Sequence, residues 1–346
     1  MSLVNTRLQN FRADSPVDKW EVRASQYGGL DLFKAQTDSP TGIITEDLAN
    51  KAIRSEGSTL EIPVLDAEGF TIQSVTQPLT IAGDPGTSQL YAVTFVDYYF
   101  GFRLWPAQHF NNEITLQREF QRKLNGYIIA MMNSLDLAAL SALEADKCQL
   151  LKDDLGGRYG FAGNIATAPL AEQDAFVGDI NLLMKGNDYF GMLHIVGNPS
   201  FESHVRNRLL EKGQFNTENK TYQYSDKTFH FSNNLTNGAG NRAACFAVQA
   251  DTVGMVQRFS PDVILGHRTH KHIWDMEVLP IANLPIGVYQ YDDAVDFSGN
   301  NASTSRLTAT KMEAYGFHTS VAFITPYNSD PATNPSAIMK VALASA

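Results

Sequence analysis

The chain has 346 residues, 43% of them hydrophobic, and a formal net charge of −10. That length gives ample core for one large or two ordinary domains. The acidic balance argues against a protein held to nucleic acid by a broad basic surface, but not against a container whose inner wall binds nucleic acid weakly. No uninterrupted apolar run approaches the length of a membrane span. The opening stretch MSLVNTRLQNFRADSP has no apolar segment behind its charges, so no signal peptide is expected. Cys148 and Cys245 make no disulfide framework and read as small buried hydrophobes in a reducing compartment.

Residues 1–50 are polar and turn-rich, with hydrophobes at Phe11, Trp20, Tyr27, Leu30, Leu32 and Phe33 that no sustained period connects. They are expected to form an extended arm, with Trp20 and the Leu30–Phe33 cluster docking on a neighbour. A short helix is expected at Thr45–Arg54, capped by Thr45. From Gly57 the pattern changes. Ser58–Leu65 alternates, turns follow at Asp66–Gly69 and Asp84–Gly86, and Leu90–Leu104 is rich in aromatic and β-branched residues. Together they predict a long two-stranded excursion. A ribbon of that size cannot bury its apolar side unaided, so it is expected to rest on another copy of the chain.

The segment Asn111–Lys147 carries Phe120, Leu124, Tyr127, Met131, Leu135, Ala138 and Ala142 at steps of four and three, the period of one helical face. Asn111 or Asn112 is placed to cap it, with Glu113 and Glu119 near its positive end. Such a helix runs about 50 Å, far beyond an ordinary globular helix. Gly126 is its weak point. It reads as a spine carrying two separate sheets; the plainer alternative is a core helix of a large α+β enzyme.

A glycine-containing loop is expected to Thr167, then a helix at Gln173–Lys185 and a buried strand at Met192–Val196. Asn198-Pro199 starts a helix over Ser200–Lys212, because Asn caps and Pro fits the first turn, and Gly213 ends it. Strands are expected at Thr228–Ser232, Ala243–Met255, Ile273–Val278, Gly287–Tyr291 and Tyr315–Ile324, with an irregular proline-bearing tail at Thr325–Ser336.

Catalytic motifs give little. His267, His270 and His272 form the one cluster with metal-like spacing. On a helix the first two share a face, and on a strand the last two do. Without Cys or Asp/Glu in the triplet, they read as a solvated or interface-lining basic loop. Gly83–Ser88 lacks the lysine and spacing of a phosphate loop and reads as a turn. Cys148, at the negative end of the spine, is expected to have a raised thiol pKa and no nucleophilic role. Asp153-Asp154 reads as a solvated helix-end pair, and Glu202–Lys212 as the wet face of an amphipathic helix. No catalytic, cofactor or metal residue is assigned, and no enzymatic activity is expected.

The order of elements resembles the major capsid protein of tailed bacteriophages, the Hong Kong 97-type fold. The local matches are His194–Phe201, similar to the strand, Asn-Pro, helix unit of that family's axial domain; Phe229–Leu235, similar to the segment after it; and Ala314–Phe323, similar to the closing peripheral strand. The resemblance implies an α+β fold divided into an N-terminal arm (1–50), E-loop and peripheral domain with spine (51–164, spine about 111–147), an axial domain (165–260), and return strands with a C-terminal tail (261–346). It further implies a shell subunit assembling as pentamers and hexamers into an icosahedral head around double-stranded DNA, contacted weakly. Scaffold, portal and cement proteins would be its other partners, with no membrane. Its place would be the virion, after assembly in the host bacterial cytoplasm. Some members of the family weld their shells through an E-loop lysine. Gly57–Phe95 contains no lysine, so a noncovalent shell is expected. No long charged helical segment precedes the arm, so a fused scaffolding domain is not expected. The rivals are an encapsulin-like compartment shell and, in another class, a metal-dependent enzyme using His267, His270 and His272.

Overall fold

The computed structural model describes residues 26–39, 42–44, 48, 52, 60–64, 89–105, 112–211, 223–224, 227–258, 273–281, 284–291 and 313–345. In chain order the elements are α1 (Gly28–Thr37), β1 (Glu61–Val64), β2 (Gln89–Ala92), β3 (Val96–Leu104), α2 (Glu113–Ala145), β4 (Gly160–Ala162) and β5 (Ile165–Ala168). There follow α3 (Phe176–Gly186), β6 (Leu193–Gly197), α4 (Pro199–Glu211), β7 (Gln223–Tyr224), β8 (Lys227–Phe231), β9 (Asn241–Gln249) and β10 (Gly254–Arg258). The last are β11 (Ile273–Ile281), β12 (Leu284–Tyr291), β13 (Glu313–Ile324) and β14 (Ile338–Ala344). This is a mixed helix and sheet fold.

The spine is α2, 33 residues long, or about 50 Å at the usual rise. Asn112 caps it, accepting from the backbone N–H of Ile114 at 3.0 Å and of Thr115 at 3.4 Å. Gly126 is exposed, and a Cβ there would meet nothing within 4 Å, so the helix passes through it without a packing demand. The buried stripe runs Leu116, Phe120, Leu124, Ile128, Met131, Met132, Leu135, Ala139 and Leu143. The expected stripe drifts off it in places: Tyr127 is 40% exposed and Ala138 and Ala142 are half-buried. Tyr127 flanks the stripe and stacks on Phe100 and Phe102, with ring centroids 5.4 and 5.9 Å away.

That stripe serves two sheets. In the five-stranded sheet, β13 is central, pairing along one side with β3 and along the other with β12 and β10, while β11 lies beyond β12. Phe100, Phe102, Tyr315, Phe317, Ile286 and Val288 pack from it against the spine. The seven-stranded sheet has the order β4-β5-β14-β9-β6-β8-β7. Alternation splits its residues between two cores. Leu193, Ile195, Ala243, Cys245, Ala247, Met339, Val341 and Leu343 face Phe176, Ile180 and Leu183 of α3 and Phe201 and Val205 of α4. Val196, Phe246, Val248 and Ile338 face the core of the spine.

The expected two-stranded excursion has its described base in β1 and β2, antiparallel with Glu61 opposite Ala92 and Val64 opposite Gln89. Leu60 and Val93 beside that base are buried with Val256, Ala322 and Ile324, so the base of the ribbon rests on its own chain. Of the expected helix Thr45–Arg54, Leu48 and Ala52 are described, and both are helical.

Four readings need correction. The arm is not extended throughout, because Gly28–Thr37 is a helix, with Leu30, Leu32 and Phe33 wholly buried in the core of their own chain. Ten residues are too few to show a helical period, and tertiary burial decides. The expected single strand Ala243–Met255 is two, β9 and β10, separated by a turn in which Asp251 takes φ 64°. They enter different sheets. The loop before Thr167 contains the hairpin β4–β5, turned by Gly163 and Asn164 at φ 59° and 62°, the left-handed pair that a two-residue hairpin turn requires. Finally β14, beyond the expected tail, lies inside the seven-stranded sheet between β5 and β9. Its apolar run is masked by its place after three prolines.

Candidate functional site

Helix α1, the spine and the seven-stranded sheet meet around one buried carboxylate. Asp136 of α2 is wholly buried. Its Oδ1 accepts from the backbone N–H of Gly29 at 2.8 Å and of Leu30 at 3.1 Å. Its Oδ2 accepts from Ser232 Oγ at 2.5 Å and Asn234 Nδ2 at 2.8 Å. A carboxylate taken out of water needs such donors. The helix needs the carboxylate as well: Tyr27, at its N-cap position, makes no side-chain cap. Asp136, 107 residues away from Gly29, supplies one, at the end where the helix dipole favours negative charge. The approach is close. A Cβ on Gly28 would lie 2.6 Å from the backbone of Phe231, and one on Gly29 would lie 3.0 Å from Asp136 Oδ1.

The other end of α1 is also fastened. Gln36 Oε1 accepts from the N–H of Thr252 at 3.0 Å and of Val253 at 3.1 Å. Thr37 Oγ1 accepts from Met255 N at 2.7 Å and donates to Phe33 O at 2.7 Å. These bonds hold the turn at which the chain leaves one sheet for the other. The joint therefore positions both sheets on the spine, and its chemistry is that of a hinge pin rather than of a reacting centre.

The strand, Asn-Pro, helix unit forms as its sequence suggests. Asn198 Oδ1 accepts from Phe201 N at 2.8 Å, and Asn198 Nδ2 donates to Asn237 Oδ1. A Cβ on Gly197 would stand 2.2 Å from the Phe201 ring, so glycine is required there for the helix to pack back onto its strand.

His267, His270, His272 and Gly83–Ser88 lie outside the described residues. Among the described residues no group of three or more His, Cys, Asp or Glu is placed to hold a metal ion. Asp153 and Asp154 are exposed and accept from Leu155 N and Gly157 N, each at 2.8 Å, turning the loop after the spine. Burial pushes the Cys148 thiol up, ahead of the smaller opposing influence of its backbone partners, the Leu150 carbonyl that accepts from it and the Ser336 N–H that donates to it. The Cys245 thiol, wholly buried, is also pushed up. The raised Cys148 thiol was expected from the helix end, whereas its leading cause is burial. Arg158 pairs with Asp179 at 2.5 Å and with Glu172 at 3.8 Å, tying the loop before β4 to α3.

Asp136 was not singled out from the sequence. Its signal was an acidic residue between Leu135 and Ala139 on an otherwise apolar face, where burial demands partners. By length and composition the spine is the one described helix able to cross a membrane, but its apolar stripe is occupied by the two sheets.

No family model matches the chain and no curated protein matches it. Solved structures do. One from Mycobacterium phage Che8 is 10% identical with a TM-score of 0.49, covering 87% of this chain and 89% of that one. The capsid structure of the cyanophage P-SCSP1u is 10% identical with a TM-score of 0.46, covering 84% of each chain. The mature capsid asymmetric unit of bacteriophage PhiM1 is 11% identical with a TM-score of 0.44, also covering 84% of each. These are likenesses of shape to phage structures, and the function is argued from the chain's own construction.

Proposed function

We propose that the chain is a major capsid protein of a tailed bacteriophage, with the Hong Kong 97-type arrangement, whose copies close into the icosahedral head shell around double-stranded DNA. The observation that carries this reading is the 33-residue spine whose single stripe supports two sheets at once. A rigid bar with a sheet at each station and a β ribbon leaving one of them suits a tile that overlaps its neighbours. The seven-stranded sheet with α3 and α4 takes the axial role. The five-stranded sheet and spine take the peripheral role, and the ribbon from β1 and β2 takes that of the E-loop. Function then resides in interfaces between copies, in pentamers and hexamers, with portal, scaffold or cement proteins as further partners. No catalytic step is assigned. An acidic chain holds packaged DNA loosely, in a virion assembled in the bacterial cytoplasm.

Sedimentation of the purified protein tests the reading. Closed shells, pentamers or hexamers are expected, and a discrete species smaller than five copies at every concentration would overturn it. Because Gly57–Phe95 has no lysine, shells boiled in detergent are expected to release monomer near 38.2 kDa. A covalent ladder would contradict the noncovalent shell while leaving the shell itself standing.

A further inference from the structure

Strand β3 is an edge of the five-stranded sheet, and among the described residues no strand pairs with its outer side. Its register with β13 runs without a shift from Val96 opposite Val321 to Leu104 opposite Glu313. Its backbone groups therefore alternate strictly between the two sides. Two contacts fix which residues face out. A Cβ on Gly101 would lie 3.1 Å from Tyr315 O, so that carbonyl points at β3, and Phe102, opposite Tyr315, faces inward to bond with it. Arg103 O instead accepts from Lys123 Nζ of the spine at 2.8 Å. Asp97, Tyr99, Gly101 and Arg103 thus turn their N–H and C=O groups away from the sheet.

Edges of this kind are ordinarily blunted by shortness, proline, a bulge or an inward charge. β3 is nine residues long, VDYYFGFRL, with neither proline nor register shift. Val96 and Tyr99 are large apolar side chains left exposed on it. Lys123 covers one carbonyl near its end, and a carbonyl oxygen keeps a second lone pair. A glycine within a strand, here Gly101, marks a place where another backbone can come close.

The strand is also complementary to itself. When it is turned about a twofold axis through Phe100, Asp97 of one copy lies opposite Arg103 of the other, and Tyr99 lies opposite Gly101. All four face outward, so each pair exchanges two backbone hydrogen bonds. The Asp–Arg contact occurs at both ends of the seam, where opposite charges across strands stabilise and like charges destabilise. Asp97 is available for it: His318 Nε2 stands 3.6 Å from its Oδ1, yet the carboxylate side chain is 65% exposed. On the spine face the same register sets Val96 opposite Leu104 and Tyr98 opposite Phe102. A slip of two residues loses the match, placing Asp97 opposite Gly101 or opposite Trp105.

We propose that β3 pairs antiparallel with β3 of a second copy about a twofold axis at Phe100, joining two five-stranded sheets edge to edge through paired Asp97–Arg103 contacts. Such a contact is isologous and closes on two copies. The inference rests on the shell reading for its setting, as the seam between neighbouring rings, while the pairing itself needs two copies alone.

Cross-linking of the full-length protein tests it. Tyr99→Cys puts one thiol on each side of the axis, a diagonal pair on one face about 7–8 Å apart, within reach of a short bis-maleimide. The native thiols of Cys148 and Cys245 are buried, and the wild type reports the background. A covalent dimer is expected from the Tyr99→Cys protein. Adding Arg103→Glu sets a new carboxylate against Asp97 at both ends and should lower the dimer yield about fivefold or more. The swap Asp97→Arg/Arg103→Glu should restore it. Denaturant midpoints report that each variant is folded, and where Arg103→Glu is not, Asp97→Arg carries the same test. No dimer above background, or a dimer indifferent to both reversal and swap, would overturn the pairing. Shells that form without the dimer would remove this contact and leave the shell reading standing. A charge-sensitive dimer that never forms rings would keep the contact and remove the shell.

Discussion

The two faces of the seven-stranded sheet are built on different principles. Under α3 and α4 the contact is mainly apolar, filled by Phe176, Phe201, Leu183 and the small side chains of Ala243, Cys245 and Ala247, with one buried cation, Lys227, donating to Val177 O. Under α1 and the spine an apolar surround encloses Asp136 and Ser232, with the half-buried Asn234 completing the carboxylate's partners. Apolar contact is strong and non-directional, so it stabilises a helix without fixing its end. Directed bonds from one carboxylate to two helix N–H groups and two side chains fix that end to a point. The first face makes the sheet a stable body, and the second sets where the arm and spine attach to it.

Substitutions should separate these roles. Phe201→Ala, which empties the ring position against Gly197, Phe176 and Phe229, is expected to cost about 4 kcal/mol in denaturant unfolding. The loss should fall on the whole sheet, with α1 and α3 exchanging together. Asp136→Ala strands two buried N–H donors and is expected to cost about 3 kcal/mol. Its signature differs: exchange of α1 rises far more than exchange of α3, and equal rises would contradict the division between the faces. Asn198→Ala removes the α4 cap and should cost about 1 kcal/mol, read as a lower denaturation midpoint with an unchanged slope. Lys152→Ala breaks the exposed pair with Asp188, at 2.6 Å, and should change stability by less than about 0.5 kcal/mol.

Legibility in the sequence followed the range of the interactions. The spine was visible because its stripe repeats over 33 residues, and the α4 start because Asn198, Pro199 and Phe201 settle it within one turn. The strands β11, β12 and β13 were visible from their β-branched and aromatic runs. What was missed depends on partners far along the chain. Helix α1 takes its cap from Asp136, 107 residues away. The role of β14 comes from β9 and β5, to which nothing in Ile338–Ala344 itself points. The break at Asp251 was hidden because β9 and β10 are both apolar, and they part company by joining different sheets. The joint at Asp136 was legible only as an anomaly, one acid on an apolar stripe.

The central claim is that this fold is a tile for a closed shell, and electron microscopy of the concentrated, purified protein tests it most directly. Closed icosahedral particles, or rings of five and six subunits, are the result predicted. A uniform field of small oligomers that never form rings would contradict it.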